Sequence, residues 1–126
     1  MRIDSILREI LALAVDDVTA SWSAIGIVRL YTRQKERSAL KLATIDVLRL
    51  LLTEKLVVIG DLVGIGSDPD FGFRSCEFRP WSTSAEAALQ RVEAVWNDPA
   101  VNPIEDTLFW LMITETGRNR LSNLSK

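Results

Sequence analysis

The stretch Val47–Leu62, VLRLLLTEKLVVIGDL, changes its period half-way along, and that change decides the fold. Its first part completes a repeat in which Leu42, Ile45, Leu48, Arg49 and Leu52 return at three- and four-residue spacing, which predicts a helix from Ser38 to about Lys55. Lys41, Thr44 and Thr53 fall off that stripe and are expected to face solvent. The second part, Leu56–Leu62, is short, rich in β-branched residues and stopped by turn formers, which predicts a strand.

Working back from this junction, Ser21–Tyr31 reads as a shorter helix around Trp22, Ile25, Val28 and Leu30. Ile3–Ala14 reads as an amphipathic helix with Ile6, Leu7, Ile10 and Leu11 on one face and Asp4 as its cap. Working forward, Gly64–Gly72 has the glycines, Pro69 and paired aspartates of a loop. Thr83–Asn97 returns to helical order, with Ala88, Leu89, Val92 and Trp96 on one side and a capping-box spacing from Thr83 to Glu86. Leu108–Thr114 predicts a second strand, and the chain then enters a short helix through Leu121.

Three helices, a strand, an excursion and a second strand form the element order of a winged helix, a helix-turn-helix variant with a β-hairpin wing. The run from Val47 to Leu62 resembles that family's passage from third helix into first wing strand. Ile113–Leu121, ITETGRNRL, is similar to its "L-T-x-x-G-R" ending. The resemblance implies an α+β, mainly helical fold: a single winged-helix-like domain over residues 1–126, with a small antiparallel β-sheet and a helical insertion at about 63–107 between the wing strands. An ordinary wing has no such insertion. The chain as a whole resembles small bacterial winged-helix proteins associated with polymorphic toxins, such as contact-dependent growth inhibition immunity proteins.

Composition narrows the chemistry. At 126 residues the chain suits one domain, and 48% apolar with 25% charged residues is ordinary for a soluble globular protein. Its apolar runs fall far short of the roughly 20 residues that span a bilayer, and the start reads as an amphipathic helix with no secretory leader, so a cytoplasmic protein without a membrane partner is expected. Histidine is absent, which removes imidazole bases, Ser-His and Cys-His pairs and His-containing zinc sites. Cys76, the sole cysteine, cannot form an internal disulfide and reads as a small packed residue. Gly64-Ile65-Gly66 lacks the Gly-Lys-Ser/Thr of a phosphate loop, Asp70-Phe71-Gly72 lacks every other kinase element, and Asp68 with Asp70 lacks the regular oxygen ladder of a calcium loop. No catalytic residue, cofactor or metal site is expected.

The net charge of −2 conceals a division along the chain. Arg29, Arg33, Lys35, Arg37, Lys41, Arg49 and Lys55 face only three carboxylates between residues 29 and 55, whereas nine carboxylates face three arginines between Asp61 and Asp106. An acidic insertion suits a basic partner, and a nuclease toxin is basic because it binds phosphate. The resulting expectation is a non-enzymatic immunity protein that occludes a cognate toxin domain through Glu77, Trp81, Glu86, Glu93 and Asp98. The alternative is a DNA-binding transcription regulator using Arg33, Lys35, Arg37, Lys41, Thr44 and Arg49. Against that alternative, no Asn or Gln lies between Ser38 and Lys55 to read bases, and Asp46 opposes phosphate. An adaptor within a larger complex is a third reading, and the oligomeric state is open. Trp22, Trp96 and Trp110 read as core, while Trp81 reads as a staple between insertion and strands.

Overall fold

A computed structural model describes residues 2–66 and 75–124. The elements run α1 (Ile3–Asp16), β1 (Thr19–Ala20), α2 (Ser21–Thr32), α3 (Arg37–Thr53), β2 (Val57–Ile65), β3 (Ser75–Pro80), α4 (Ala85–Trp96), β4 (Trp110–Ile113) and α5 (Glu115–Leu124). The fold is mainly helical with a four-stranded antiparallel sheet in the order β1-β4-β2-β3, a general winged-helix-like topology.

The helices form where the apolar period places them. Ile6, Leu7, Ile10 and Leu11 of α1, Ile25 and Val28 of α2, and Leu40, Val47, Leu48 and Leu51 of α3 meet Leu56 of the α3–β2 junction and Val57 and Leu111 of the sheet in one buried cluster. Ala88, Leu89, Val92 and Trp96 of α4 belong to that same cluster, so the inserted helix is built into the core. Burying an aromatic or aliphatic side chain of this size stabilises by about 1.5–3 kcal/mol, which fixes α4 against α3.

The junction after α3 explains the two sequence signatures. Lys55 takes a left-handed conformation at φ 59°, and the Leu56 amide donates back to the Leu51 carbonyl at 2.9 Å, which turns the chain from helix into β2. Thr114 then ties β4 to this turn: its amide donates to the Leu56 carbonyl at 3.1 Å and its hydroxyl to the Lys55 carbonyl at 2.6 Å. The same hydroxyl accepts from the Gly117 amide at 2.9 Å and so caps α5. A Cβ on Gly117 would stand 2.1 Å from the Leu56 carbonyl oxygen, so only glycine lets α5 lie this close.

Several expectations are corrected. Asp4 does not cap α1; it sits in the first turn, after Arg2 at the N-cap position. The inserted helix starts at Ala85, and its cap is Ser84, whose hydroxyl accepts from the Ala87 amide, in place of Thr83. Strand β2 runs on through Gly64 and Ile65, where a loop is expected, because β3 pairs with it from Gly60↔Pro80 to Ile65↔Ser75. The remainder of that expected loop, including Asp68 and Asp70, lies outside the described residues. Cys76 is exposed on β3, and Trp22 is 49% exposed, so neither is a core residue. Among the described residues no helix is long and apolar enough to cross a membrane, and no cluster of His, Cys, Asp and Glu could hold a metal ion.

Candidate functional site

The residues singled out for two different partners meet each other. Helix α4 lies along the flank of α3 formed by Arg37, Lys41, Thr44 and Leu48, at right-handed helical spacing, and its acidic side chains reach the basic ones of α3. Lys41 Nζ donates to Asn97 Oδ1 at 3.0 Å and stands 3.7 Å from Glu93 Oε1. Arg49 pairs with Glu86. The basic and acidic blocks of the sequence therefore neutralise each other across one intramolecular seam.

Arg37 has a more specific place. Its guanidinium donates to the carbonyls of Trp96, of Asp98 at 2.9 Å and of Val101 at 2.7 Å, while Trp96 Nε1 donates back to the Arg37 carbonyl at 3.2 Å. The last carbonyls of a helix have no partner within the helix, and a cation at that end complements its dipole. Arg37 thus closes the C-terminus of α4. Nothing in the local sequence marks this, because the residues that meet lie some sixty positions apart.

Thr44 is a correction: it is buried between α3 and its neighbours at 1% exposure, and its hydroxyl has no hydrogen-bond partner among the described residues. It cannot touch DNA in this structure. The face of α3 left in solvent carries Ser38, Leu42, Asp46, Arg49 and Thr53, with Leu42 at 64% exposure and Asp46 acidic. Of the residues expected to contact DNA, Arg33 and Lys35, in the turn before α3, are exposed with neither an ion pair nor a side-chain hydrogen bond among the described residues.

The residues expected to face a toxin lie along the other side of the seam. Glu86 and Glu93 keep 61% and 51% of their side-chain surface exposed while paired, and Glu77 pairs with Arg79 of its own strand at 3.0 Å. Asp98 is exposed, and its carboxylate accepts from the Ala100 amide at 2.9 Å in a local turn. Trp81 is half-buried against the core, with the Arg91 guanidinium 3.9 Å from its ring centroid and its amide donating to the Ile59 carbonyl. It fastens the insertion to β2, and Arg91 also reaches Asp61 at 3.6 Å.

Away from the seam, Tyr31 Oη of α2 donates to Glu9 Oε1 of α1 at 2.6 Å. That hydrogen bond, with partial burial and the Glu9 charge, raises the Tyr31 pKa above the usual phenol value. The positions that sequence reasoning missed are Asn97, which receives Lys41, and the exposed Trp22 and Leu30 of α2.

Comparison with protein-family models, with curated proteins and with solved structures gave no match.

Proposed function

We propose that the chain is a non-enzymatic winged-helix protein that binds a cognate bacterial toxin domain and neutralises it by occlusion. One observation carries the preference for a protein partner: the helix that a winged-helix regulator would lay in the major groove has its basic flank closed by α4. Arg37, Lys41 and Arg49 each hold an atom of the insertion, and Thr44 is buried. A groove-reading helix needs those cations free for phosphate and needs polar groups for base edges. The face still open on α3 has Leu42 and Asp46 instead.

The insertion supplies the toxin-facing side of this reading, through Glu77, Glu86, Glu93 and Asp98 with Trp81 at its root. Because three of these carboxylates already hold cations, a basic toxin surface would exchange partners with Lys41, Arg49 and Arg79, so charge contributes orientation more than affinity. The competing reading, a DNA-binding regulator, is favoured only by Arg33 and Lys35, whose exposed position in the α2–α3 turn suits phosphate contact.

The test is titration of the purified chain against bacterial toxin domains, basic nuclease domains first, and against duplex DNA. A tight one-to-one complex that abolishes the toxin's activity supports the proposal. Salt-dependent duplex binding without a toxin complex would replace it with the regulator reading.

A further inference from the structure

The exposed face of α2 differs from the charged α3–α4 seam in carrying large apolar side chains. Trp22, Gly26 and Leu30 stand four residues apart along it, and Leu30 is exposed to 69%, the highest value among the large apolar side chains described. A Cβ on Gly26 would meet no atom within 4 Å. Packing inside the chain therefore has no need of glycine at this position, although glycine weakens a helix interior relative to alanine. A second backbone crossing α2 at Gly26 supplies the missing reason, since a residue without a side chain lets helices approach closely.

The two halves of this face complement each other. On the N-terminal side Leu13, Val18, Trp22 and Trp110 line a shallow depression, and on the C-terminal side Leu30 projects beside Arg29, Arg33 and Lys35. Asp16 and Asp17 are exposed just before β1, next to the depression. None of these five charged residues has an ion pair among the described residues. A two-fold axis through Gly26 lays Leu30, four residues after the glycine, over Trp22, four before it in the second copy, and brings the end of α2 that leads into Arg33 and Lys35 toward the end that Asp16 and Asp17 precede. A closed dimer needs such self-complementarity. With a rise of about 1.5 Å per residue, Leu30 is offset about 6 Å from the crossing point, within side-chain reach of the depression.

We propose that this face is a two-fold interface between two copies of the chain, in which the α2 helices cross antiparallel at Gly26. Leu30 of each copy enters the depression beside Trp22 of the other, and Arg33 and Lys35 meet Asp16 and Asp17. Nucleic acid fits the face less well, because Trp22 and Leu30 offer apolar surface and the two aspartates repel phosphate. The interface rests on α2 and does not depend on the toxin reading, which uses the insertion along the α3–α4 seam.

Sedimentation equilibrium of the full chain decides the matter. The expected mass is twice 14.1 kDa at concentrations up to about 100 μM, and Leu30→Glu is expected to return it to 14.1 kDa with unchanged helical circular dichroism. Arg33→Asp with Lys35→Asp should weaken the dimer about tenfold or more, and adding Asp16→Lys with Asp17→Lys to the same chain should restore it. The charge exchange decides should Leu30→Glu disturb folding. A wild-type chain that stays at 14.1 kDa over this range overturns the proposal. So does a dimer untouched by both sets of substitutions, or a monomer that uses Leu30 to bind an acidic peptide or duplex DNA.

Discussion

Two groups of cations that are continuous in sequence differ in what they hold in the fold. Arg37, Lys41 and Arg49 bind the insertion, whereas Arg29, Arg33 and Lys35 stand in solvent with no ion pair among the described residues. Net charge along a chain counts both groups alike. Only the first is structural, and only the second is available to a partner. The contrast also divides the surface: the α3 flank is closed by a helix that belongs to the core, and the α2 face is open and apolar at its centre.

The comparison can be broken most forcefully at Trp96, which is 1% exposed and joins α4 to α3. Trp96→Ala should lower stability by about 4 kcal/mol in denaturant titration; a loss below about 1 kcal/mol would mean that α4 is only loosely attached. Next comes Arg37→Ala, expected to cost about 2 kcal/mol because three carbonyls lose a charged donor at once, whereas Arg29→Ala should stay within about 0.5 kcal/mol. Equal effects at the two sites would erase the distinction between engaged and free cations.

The comparison sharpens at Arg33, which ends α2 in the left-handed region at φ 58°. Arg33→Gly should raise stability by about 0.5–1 kcal/mol by relieving that conformation, an outcome incompatible with a structural role for its guanidinium. A double-mutant cycle on Arg49 and Glu86, an exposed pair, should give a coupling below about 1 kcal/mol. The smallest effect is confined to alkaline pH. The raised Tyr31 pKa means that the folded state holds the phenol proton more tightly than the unfolded chain, so this stabilisation is complete below about pH 10 and fades as pH rises through the folded-state value. Tyr31→Phe should therefore be less stable than wild type near neutrality and converge with it at high pH; a constant difference would contradict the Glu9 hydrogen bond as the cause.

Helices α1 to α4 were legible because each carries an apolar stripe near period 3.6, α5 because ITETGRNRL resembles a known strand-to-helix ending, and β2 and β4 because each is a β-branched or aromatic run beside a turn signal. Strand β1 has only two residues, too few for any period, and β3 reads SCEFRP, with charges and a proline where alternation would be sought. Thr44 and Lys41 were expected in solvent because a single stripe accounts for a single buried face. Helix α3 has a second neighbour, α4, and the pairing of Lys41 with Glu93 spans fifty-two residues that no local pattern connects. The tryptophans make the same point: Trp22 and Trp96 both sit in helical patterns, yet one is half exposed and the other sealed.

Native-state hydrogen exchange along α3 and α4 tests the central claim most directly, since it reports whether the helix covering the α3 flank is part of the core or a lid. With α4 built into the core, the amides of Leu89–Trp96 and of Leu48–Leu52 should open with the same free energy as global unfolding. Opening of α4 at a free energy lower by about 2 kcal/mol or more, with α3 still protected, would contradict the account and make the basic flank of α3 accessible.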